Sequence, residues 1–326
     1  MKKKIALLLT AVLLLGMVAG CKKEEKKTEE AKKMDVTVAA MKGPTALGML
    51  KLMDDAEKGK TTNNYNFTIA GAADEITAGL IKGDIPIAAI PCNLASVLYN
   101  KTQGGITMLG INTLGVLYIV ETGNKIQTVE DLMGKTIYST GKGTTPEYTL
   151  NWLLKSAGID NTVTVEYKSE ATEVATILSQ TRDAVAMLPQ PYVTTVLSNN
   201  DNARIALDVT KEWEALNEGS TVVTGVVVAN TAFLKENPEV VAAFMEEYAA
   251  SAAYTTENVE DAAGLSEKFD IFKTPVARKA IPYCNIVLIE GEEMKTKATS
   301  YLQVLFDQDP SSVGGAMPKD DFFYVK

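Results

Sequence analysis

The chain has 326 residues and a formal net charge of −9, and 46% of its residues are apolar. That apolar fraction excludes a wholly disordered chain, and the length suggests two domains. The acidic balance argues against a nucleic-acid partner, because binding to phosphates requires clustered lysine and arginine. Histidine is absent, which excludes Ser-His-Asp and Cys-His catalysis and histidine-ligated zinc.

The N-terminus has the layout of a secretory signal. Three lysines precede an apolar run from Ile5 to Val18, and two small residues then lead to Cys21. Small residues directly before a cysteine resemble the lipobox of bacterial lipoproteins. The resemblance implies that residues 1–20 are removed, that Cys21 is lipidated, and that the protein lies outside the cytoplasm, anchored to the membrane. The alternative is a transmembrane anchor, but the run is shorter than the roughly 20 residues needed to span the hydrocarbon layer.

Residues 21–34 are predicted to be a charged tether. Lys22 to Lys33 read KKEEKKTEEAKK and include no large apolar residue, so this segment has nothing to bury. Such a tether would hold the folded part of the chain clear of the lipid.

Strands and helices alternate after the tether. The predicted strands are 36–40, 66–70, 86–90, 106–111, 135–138, 163–167, 184–188 and 221–229. Helices are predicted after the first three strands, at 128–133, 146–157 and 171–179, beyond residue 191, and at 238–254 and 292–306. Each early strand is short, nearly wholly apolar and followed by a helix. This pattern predicts an α/β fold with mainly parallel sheets covered on both faces.

Candidate binding residues follow the strands. In an open α/β sheet, ligands bind beyond the carboxyl ends of the strands. Here those ends are polar and small, and several begin helices, whose unpaired N–H groups suit an anion or a carbonyl. The predicted ligand-binding residues are Lys42, Gly43, Pro44, Thr45, Ala73, Asp74, Cys92, Asn93, Asn112, Ser139, Thr140, Lys142, Gly143, Thr144, Thr145, Gln190 and Thr224.

The loop from residue 140 to residue 147, TGKGTTPE, is the sharpest of these features. Thr145 fits a helix N-cap, Pro146 the first helical position, and Glu147 the helix dipole, so the loop has a purely structural explanation. The additional hydroxyls, two glycines and Lys142 exceed what a cap requires and favour ligand contact. It is not a Walker loop, because the Gly-Lys-Ser/Thr ending is missing.

Several other positions have two interpretations. Asp74 and Asn93 are N-caps or ligand contacts. Thr224-Gly225 marks a β-bulge or a close backbone approach, and the bulge is favoured. Cys92 and Cys284 form a disulfide or are two buried thiols. Four tyrosines either stack on a ligand ring or pack in the core: Tyr138, Tyr148, Tyr192 and Tyr283. Two tryptophans are predicted to be packing residues: Trp152 and Trp213.

A family resemblance rests on several of these stretches. Lys42-Gly43-Pro44-Thr45, the stretch from Asp74 to Ala95, and the stretch from Val129 to Ile137 followed by the Gly/Thr loop resemble solute-binding components of ABC importers. The branch is the nitrate/sulfonate/taurine and thiamine-pyrimidine type. The resemblance implies a two-lobe periplasmic-binding-protein fold of type II, each lobe a mixed, mainly parallel sheet flanked by helices.

The same resemblance implies a domain organisation and a role. Lobe 1 would hold 35–120 and 229–326, lobe 2 would hold 121–228, and strands near 115–121 and 222–228 would form the hinge. The chain would capture a small solute and deliver it to ABC permease and ATPase subunits, with no cofactor, metal or nucleic acid. A related enzyme branch, a fungal pyrimidine synthase, uses histidine and a cysteine-rich motif, so no enzyme activity is expected. The alternative is a sensing lipoprotein that feeds a signalling partner.

Two classes of ligand stay open at this point. A sulfonate or carboxylate would use Lys142, Thr144, Thr145 and the helix starts. A flat pyrimidine-like or vitamin-like heterocycle would use the tyrosines. The sequence slightly favours the heterocycle or another weakly charged solute, because a single lysine is limited provision for a full anion.

Overall fold

The computed structural model describes residues 33–325, which form eleven strands and thirteen α-helices. The predicted signal peptide, the lipidation site Cys21 and all but the end of the tether lie outside these residues. The strands are β1 (Asp35–Met41), β2 (Asn64–Ala70), β3 (Ile87–Pro91), β4 (Ile106–Leu114), β5 (Leu117–Thr122), β6 (Thr136–Ser139), β7 (Thr164–Tyr167), β8 (Val185–Pro189), β9 (Ala203–Asp208), β10 (Val223–Asn230) and β11 (Ile286–Ile289).

The helices connect and cover these strands. They are α1 (Pro44–Leu47), α2 (Leu50–Glu57), α3 (Asp74–Lys82), α4 (Cys92–Lys101), α5 (Thr145–Ser156), α6 (Ala171–Gln180), α7 (Tyr192–Asn199), α8 (Val209–Leu216), α9 (Thr231–Glu236), α10 (Pro238–Glu257), α11 (Val259–Lys268), α12 (Thr274–Ala280) and α13 (Gly291–Gln308). The predicted helix at 128–133 is a 3₁₀ turn, Val129–Leu132. No helix within residues 33–325 combines the length and the apolar character that crossing a membrane requires.

The strands form two mixed sheets. Sheet 1 has the order β2-β1-β3-β10-β4-β11, and sheet 2 has the order β7-β6-β8-β5-β9. In sheet 1, β1 is parallel to β2 and β3, whereas β10 is antiparallel to β3 and β4. In sheet 2, β6 is parallel to β7 and β8, whereas β5 is antiparallel to β8 and β9. In sheet 1, β10 and β11 thus run opposite to the other four strands, and in sheet 2, β5 runs opposite to the other four, which gives the mixed character that was expected.

The central strands are apolar because both faces of their sheets are covered. Along β10, Val227 and Ala229 pack in the same cluster as Phe244 and Tyr248 of α10. Val226 and Val228 face the opposite way and share a cluster with Tyr301 of α13. A strand buried on both faces has no reason to alternate apolar with polar residues, and this explains the continuous β-branched run in the sequence.

Two short stretches pair in a different sheet from the one that the predicted lobe boundaries imply. They are residues 117–120 of β5 and residues 223–228 of β10. All of β5 pairs in sheet 2, so the first crossing between the sheets falls at Gly115 and Val116. All of β10 pairs in sheet 1, so the second crossing precedes Val223. The lobe boundaries and the hinge stay predictions, and the sequence could not place the sheet crossings because apolar β-branched runs carry no mark of the sheet that they join.

The first predicted helix is interrupted. It is divided into α1 and α2 around Gly48 and Met49. A Cβ on Gly48 would lie 2.6 Å from the Tyr248 hydroxyl oxygen, so α10 packs directly against the backbone at this point. Helical spacing of Leu47, Leu50 and Met53 did not reveal the break, because this spacing continues across it.

Candidate functional site

A cavity of about 530 Å³, here the inner cavity, lies between the ends of strands from both sheets. Sheet 1 contributes the loops after β1, β2 and β3, and sheet 2 contributes the loops after β6 and β7 and the end of β8. Parallel strands end at the same edge of a sheet, so loops far apart in sequence meet there. The cavity is where the strand-end rule placed the site.

Most of the predicted site residues line this cavity. They are Lys42, Gly43, Pro44, Thr45, Ala73, Asp74, Thr140, Lys142, Gly143, Thr144, Thr145 and Thr224. The others lie behind the wall or beside it, and they are Cys92, Asn93, Asn112, Ser139 and Gln190. All five of these are nearly or fully buried, but burial alone does not separate the two groups, because Thr145 lines the cavity and is fully buried as well.

The residues behind the wall have structural partners. Gln190 Oε1 accepts hydrogen bonds from the Thr194 backbone N–H and hydroxyl, which places this side chain at the start of α7. Asn112 Nδ2 lies 3.4 Å from the Thr45 carbonyl oxygen, beneath the cavity. Cys92 is fully buried, and burial raises the pKa of its thiol. The other thiol, Cys284, is also free and buried, so the two cysteines do not form a disulfide.

Among the described helices, six begin at the cavity: α1, α3, α4, α5, α6 and α7. None of the six has an N-cap side chain that accepts a hydrogen bond from the first turn, although Gln190, just before the N-cap of α7, accepts from the Thr194 N–H. Of the described helices that begin elsewhere, α8 and α9 are capped by Asp208 and Asn230. The others, α2, α10, α11, α12 and α13, also lack a side-chain cap, so a missing cap is not peculiar to the cavity. Uncapped N–H groups and the positive end of the helix dipole favour a bound anion or carbonyl oxygen at the cavity.

The predicted N-caps are wrong by one or two residues. Thr144, not Thr145, is the N-cap of α5, and Asp74 and Asn93 are already inside their helices. The Thr145 hydroxyl instead donates to Asn93 Oδ1, at 3.2 Å. Helix boundaries depend on backbone geometry that residue preferences specify only loosely.

The Gly/Thr loop is held by contacts within itself. Gly141 and Gly143 have φ values of +71° and +76°, a region that favours glycine. The Thr144 hydroxyl donates to the Gly141 carbonyl oxygen at 2.6 Å, and Glu147 accepts from the Gly143 N–H. The loop is therefore shaped before any ligand binds, and Lys142 at its tip remains exposed.

Three lysines line the inner cavity against one carboxylate. Lys42, Lys142 and Lys168 share the lining with Asp74. Within residues 33–325, neither Lys42 nor Lys142 has a carboxylate partner for its ammonium group, whereas Lys168 lies 3.1 Å from Glu166. The cavity is thus locally positive in a chain whose net charge is −9. Net charge describes solubility, and a pocket can carry the opposite sign.

Few aromatic rings are available to a ligand. Of the four candidate tyrosines, only Tyr192 lines the inner cavity. The Lys168 ammonium group lies 5.3 Å from the centroid of the Tyr138 ring. Tyr148 lines a different cavity, and Tyr283 is 60% exposed. The two tryptophans pack against each other with ring centroids 4.4 Å apart, as packing residues should. The preference for a heterocycle is therefore reversed in favour of an anion, because three lysines but just one of the four candidate tyrosines line the cavity.

Sequence reasoning missed several lining residues. Lys168 directly follows β7, so the strand-end rule was sufficient to find it. Leu94 and Leu117 provide apolar wall, and nothing in the sequence separates them from core leucines. The predicted bulge at Gly225 is present as a shift of register between β10 and β4, and a Cβ there would also lie 2.7 Å from Asn112 Oδ1. Among the described residues, no group of acidic, cysteine or histidine side chains is placed to hold a metal ion.

Comparison with known proteins agrees with this architecture. Residues 106–262 match the family model described as NMT1/THI5 like. No curated protein matches the sequence. An ABC transporter structure from Parabacteroides distasonis is 22% identical, with a TM-score of 0.73, and the match covers 90% of this chain and 100% of that one.

Two sulfonate-binding proteins are also similar. The alkanesulfonate-binding protein SsuA from Xanthomonas axonopodis pv. citri, bound to MOPS, is 14% identical with a TM-score of 0.69, covering 89% of this chain and 96% of that one. The aliphatic sulphonate-binding protein SsuA from Escherichia coli is 15% identical with a TM-score of 0.70, covering 89% and 92%. These likenesses confirm the predicted two-sheet, periplasmic-binding-protein type II fold.

Proposed function

We propose that this protein is the solute-binding component of an ABC importer and that it binds a small organic anion in the inner cavity. The observation that carries the proposal is the convergence of Lys42, Lys142 and Lys168 with the starts of six helices at one cavity. An anion there gains both charge attraction and hydrogen bonds from free N–H groups. Sulfonate-binding proteins of the same fold provide a precedent for such a ligand.

The rest of the lining suggests an anion with an apolar body. Met41, Leu94, Leu117 and several prolines and alanines line the cavity beside the lysines. An aliphatic or small cyclic body would bury against these side chains and gain roughly 25 cal/mol per Å² of apolar surface. An alkanesulfonate or an alkanecarboxylate has this combination of a charged head and an apolar body.

Capture would proceed by closure of two lobes, one around each sheet, about the crossings at Gly115-Val116 and before Val223. A ligand shifts the balance between open and closed forms only through contacts that it makes better in the closed form. A swing from mostly open to mostly closed requires about 3–5 kcal/mol of such preference. A few charge-assisted hydrogen bonds at about 1.5–3 kcal/mol each are sufficient.

The cellular arrangement is also part of the proposal. Residues 1–20 would direct export, lipidated Cys21 would anchor the protein, and the charged tether would leave the binding lobes free to meet the permease. The protein would bind and release its solute without chemical change, consistent with a chain that has no histidine.

Calorimetric titration of the purified chain tests the proposal. We expect binding of butanesulfonate or butanoate, no binding of cytosine, and an affinity that falls with rising salt. Lys142→Ala and Lys42→Ala should each weaken binding by about tenfold or more, because each removes a charge-assisted contact. Lys82→Ala, at the far end of α3, is the matched control and should bind as the wild type does. Binding of cytosine that ignores the lysine substitutions would overturn the anion proposal.

A further inference from the structure

A second cavity of about 490 Å³, here the outer cavity, adjoins the inner one. One wall is formed by α6 and α7 beside sheet 2. The other wall is the segment from Glu267 to Val276, which joins α11 to α12 beside sheet 1. Lys42 and Tyr192 line both cavities, so the two cavities meet at these residues.

The Tyr192 side chain bridges the two walls at this point. Its ring meets the Phe272 ring edge-on, with centroids 5.1 Å apart and an interplanar angle of 77°. Its hydroxyl donates to the Lys42 carbonyl oxygen at 3.3 Å, which is long for a hydroxyl donor. Tyr192 is 6% exposed, and burial raises its pKa, so the hydroxyl remains protonated at neutral pH. What lies between the two cavities at this point is thus one neutral ring, which is held in place mainly by packing.

The outer cavity is lined largely by polar side chains, which include the amides of Gln180 and Asn199 and the ammonium groups of Lys42 and Lys273 as well as several acceptors. The hydroxyls of Thr176 and Ser179 donate to carbonyls of their own helix, at 2.8 Å each, so their free lone pairs face outward as acceptors. Asp270 adds a carboxylate to the same lining. Glu267 is already engaged by Lys273 and by the Thr274 N–H and hydroxyl. A group that donates hydrogen bonds, such as a hydroxyl or an ammonium, suits this lining better than a methyl group does.

We propose that Tyr192 is a specificity-determining residue that sets the maximum length of the solute by closing the inner cavity against the outer one. The inference rests on the proposed function, because it places the anionic head of the solute beside the cavity lysines. A solute longer than the inner cavity must displace the Tyr192 ring. Removing the ring joins the two cavities and admits a longer solute, with preference for a tail that ends in a hydrogen-bond donor.

The test is a titration series of unbranched alkanesulfonates from ethane- to octanesulfonate, together with their ω-hydroxy and ω-ammonium forms. Affinity for the wild type should fall beyond a certain length. Tyr192→Ala should move that limit to longer chains and bind the longest ω-hydroxy member at least about tenfold better than the wild type does. Tyr192→Phe keeps the ring, so its limit should match that of the wild type.

A second variant keeps the proposal testable if Tyr192→Ala does not fold. Phe272→Ala removes the ring that supports Tyr192 from the opposite wall, and it should shift the limit in the same direction, with thermal melting as the check on folding. Wild-type binding of short sulfonates with an unchanged length limit in both alanine variants would overturn this inference alone. If butanoate and every sulfonate fail to bind any form of the protein, the proposed function is overturned, and this inference with it.

Discussion

The Thr145 hydroxyl donates a hydrogen bond to Asn93 Oδ1 over 3.2 Å, and this contact joins α5 beside sheet 2 to α4 beside sheet 1. Asn93 Nδ2 also donates to the Ser312 carbonyl oxygen at 3.0 Å and lies 3.4 Å from that of Gly143. Asn93 and Thr145 are both fully buried. A single amide therefore links the Gly/Thr loop, the start of α4 and the C-terminal segment without lining the wall of the inner cavity itself.

Replacing this amide should destabilise the protein. Asn93→Leu has nearly the same size but leaves the Thr145 hydroxyl and the Ser312 carbonyl without their partner in a buried place. We expect a loss of about 1–3 kcal/mol in the free energy of unfolding, measured by urea denaturation. Thr145→Val alone should cost less, because Asn93 keeps its other bonds.

A double-mutant cycle isolates the contact. The Asn93→Leu and Thr145→Val substitutions should couple by about 0.5–1.5 kcal/mol, since each removes one partner of the same bond. Strictly additive losses would show that the two side chains do not interact in solution.

Gly115 should tolerate no side chain. A Cβ at this position would lie 1.8 Å from Thr210 Oγ1 and 2.8 Å from both Thr210 Cβ and Cγ2. Gly115→Ala is expected to lower the free energy of unfolding by about 1–3 kcal/mol through overpacking where the chain first crosses between the sheets.

A compensating change checks the cause. Thr210→Ala removes Oγ1 and Cγ2 but keeps Cβ, so the double variant Gly115→Ala/Thr210→Ala should recover part of the stability lost by Gly115→Ala. If the second substitution brings no recovery, the loss does not come from contact with Thr210.

Asp54 should make stability depend on pH. Hydrogen bonds from Lys58 and then Lys268 lower the pKa of its carboxyl to about 2, and the Lys268 ammonium lies 2.9 Å from it. A folded-state pKa below the ordinary value means that the charged pair stabilises the protein above about pH 4. This contribution is lost as the pH falls from about 4 to about 2.

The measurement compares urea midpoints of the wild type and Asp54→Asn between neutral and acidic pH. The variant should be less stable by about 1–2 kcal/mol at pH 7, since both lysines are partly exposed and screened, and the difference should shrink below pH 4. Asp55→Asn is the control, because within residues 33–325 the carboxylate of Asp55 forms an ion pair with Lys51 alone, and this pair is only partly buried. A stability difference between the wild type and Asp54→Asn that is the same at every pH would contradict a lowered pKa at Asp54.

The two thiols should be inert in the folded protein. Cys92 and Cys284 are free, fully buried and raised in pKa by burial, so little reactive thiolate forms. In a Cys21→Ser background, a thiol reagent at pH 8 should label neither residue in native protein and both in guanidinium. Rapid native labelling of either thiol would show that the core around it opens.

The sequence by itself determined the class of the fold and the edge where the site lies. Short apolar strands followed by helices can bury both faces only as covered, mainly parallel sheets, and parallel strands deliver their following loops to one edge. For this reason Lys42, Asp74 and Lys142 were assigned to the cavity that they line.

Tertiary structure decided the rest, because it depends on partners remote in sequence. Asn93 and Gln190 follow the same strand-end rule as Lys42, yet the packing of α4 and α7 turned them away from the cavity. The sheet that β10 joins, and the meeting of Lys168 with the other two lysines, follow from which strands pair. Local sequence patterns specify whether a segment forms a helix, a strand or a loop, whereas long-range pairing specifies which other segments it faces. Long-range pairing is therefore what brings three lysines to one cavity in a chain that is acidic as a whole.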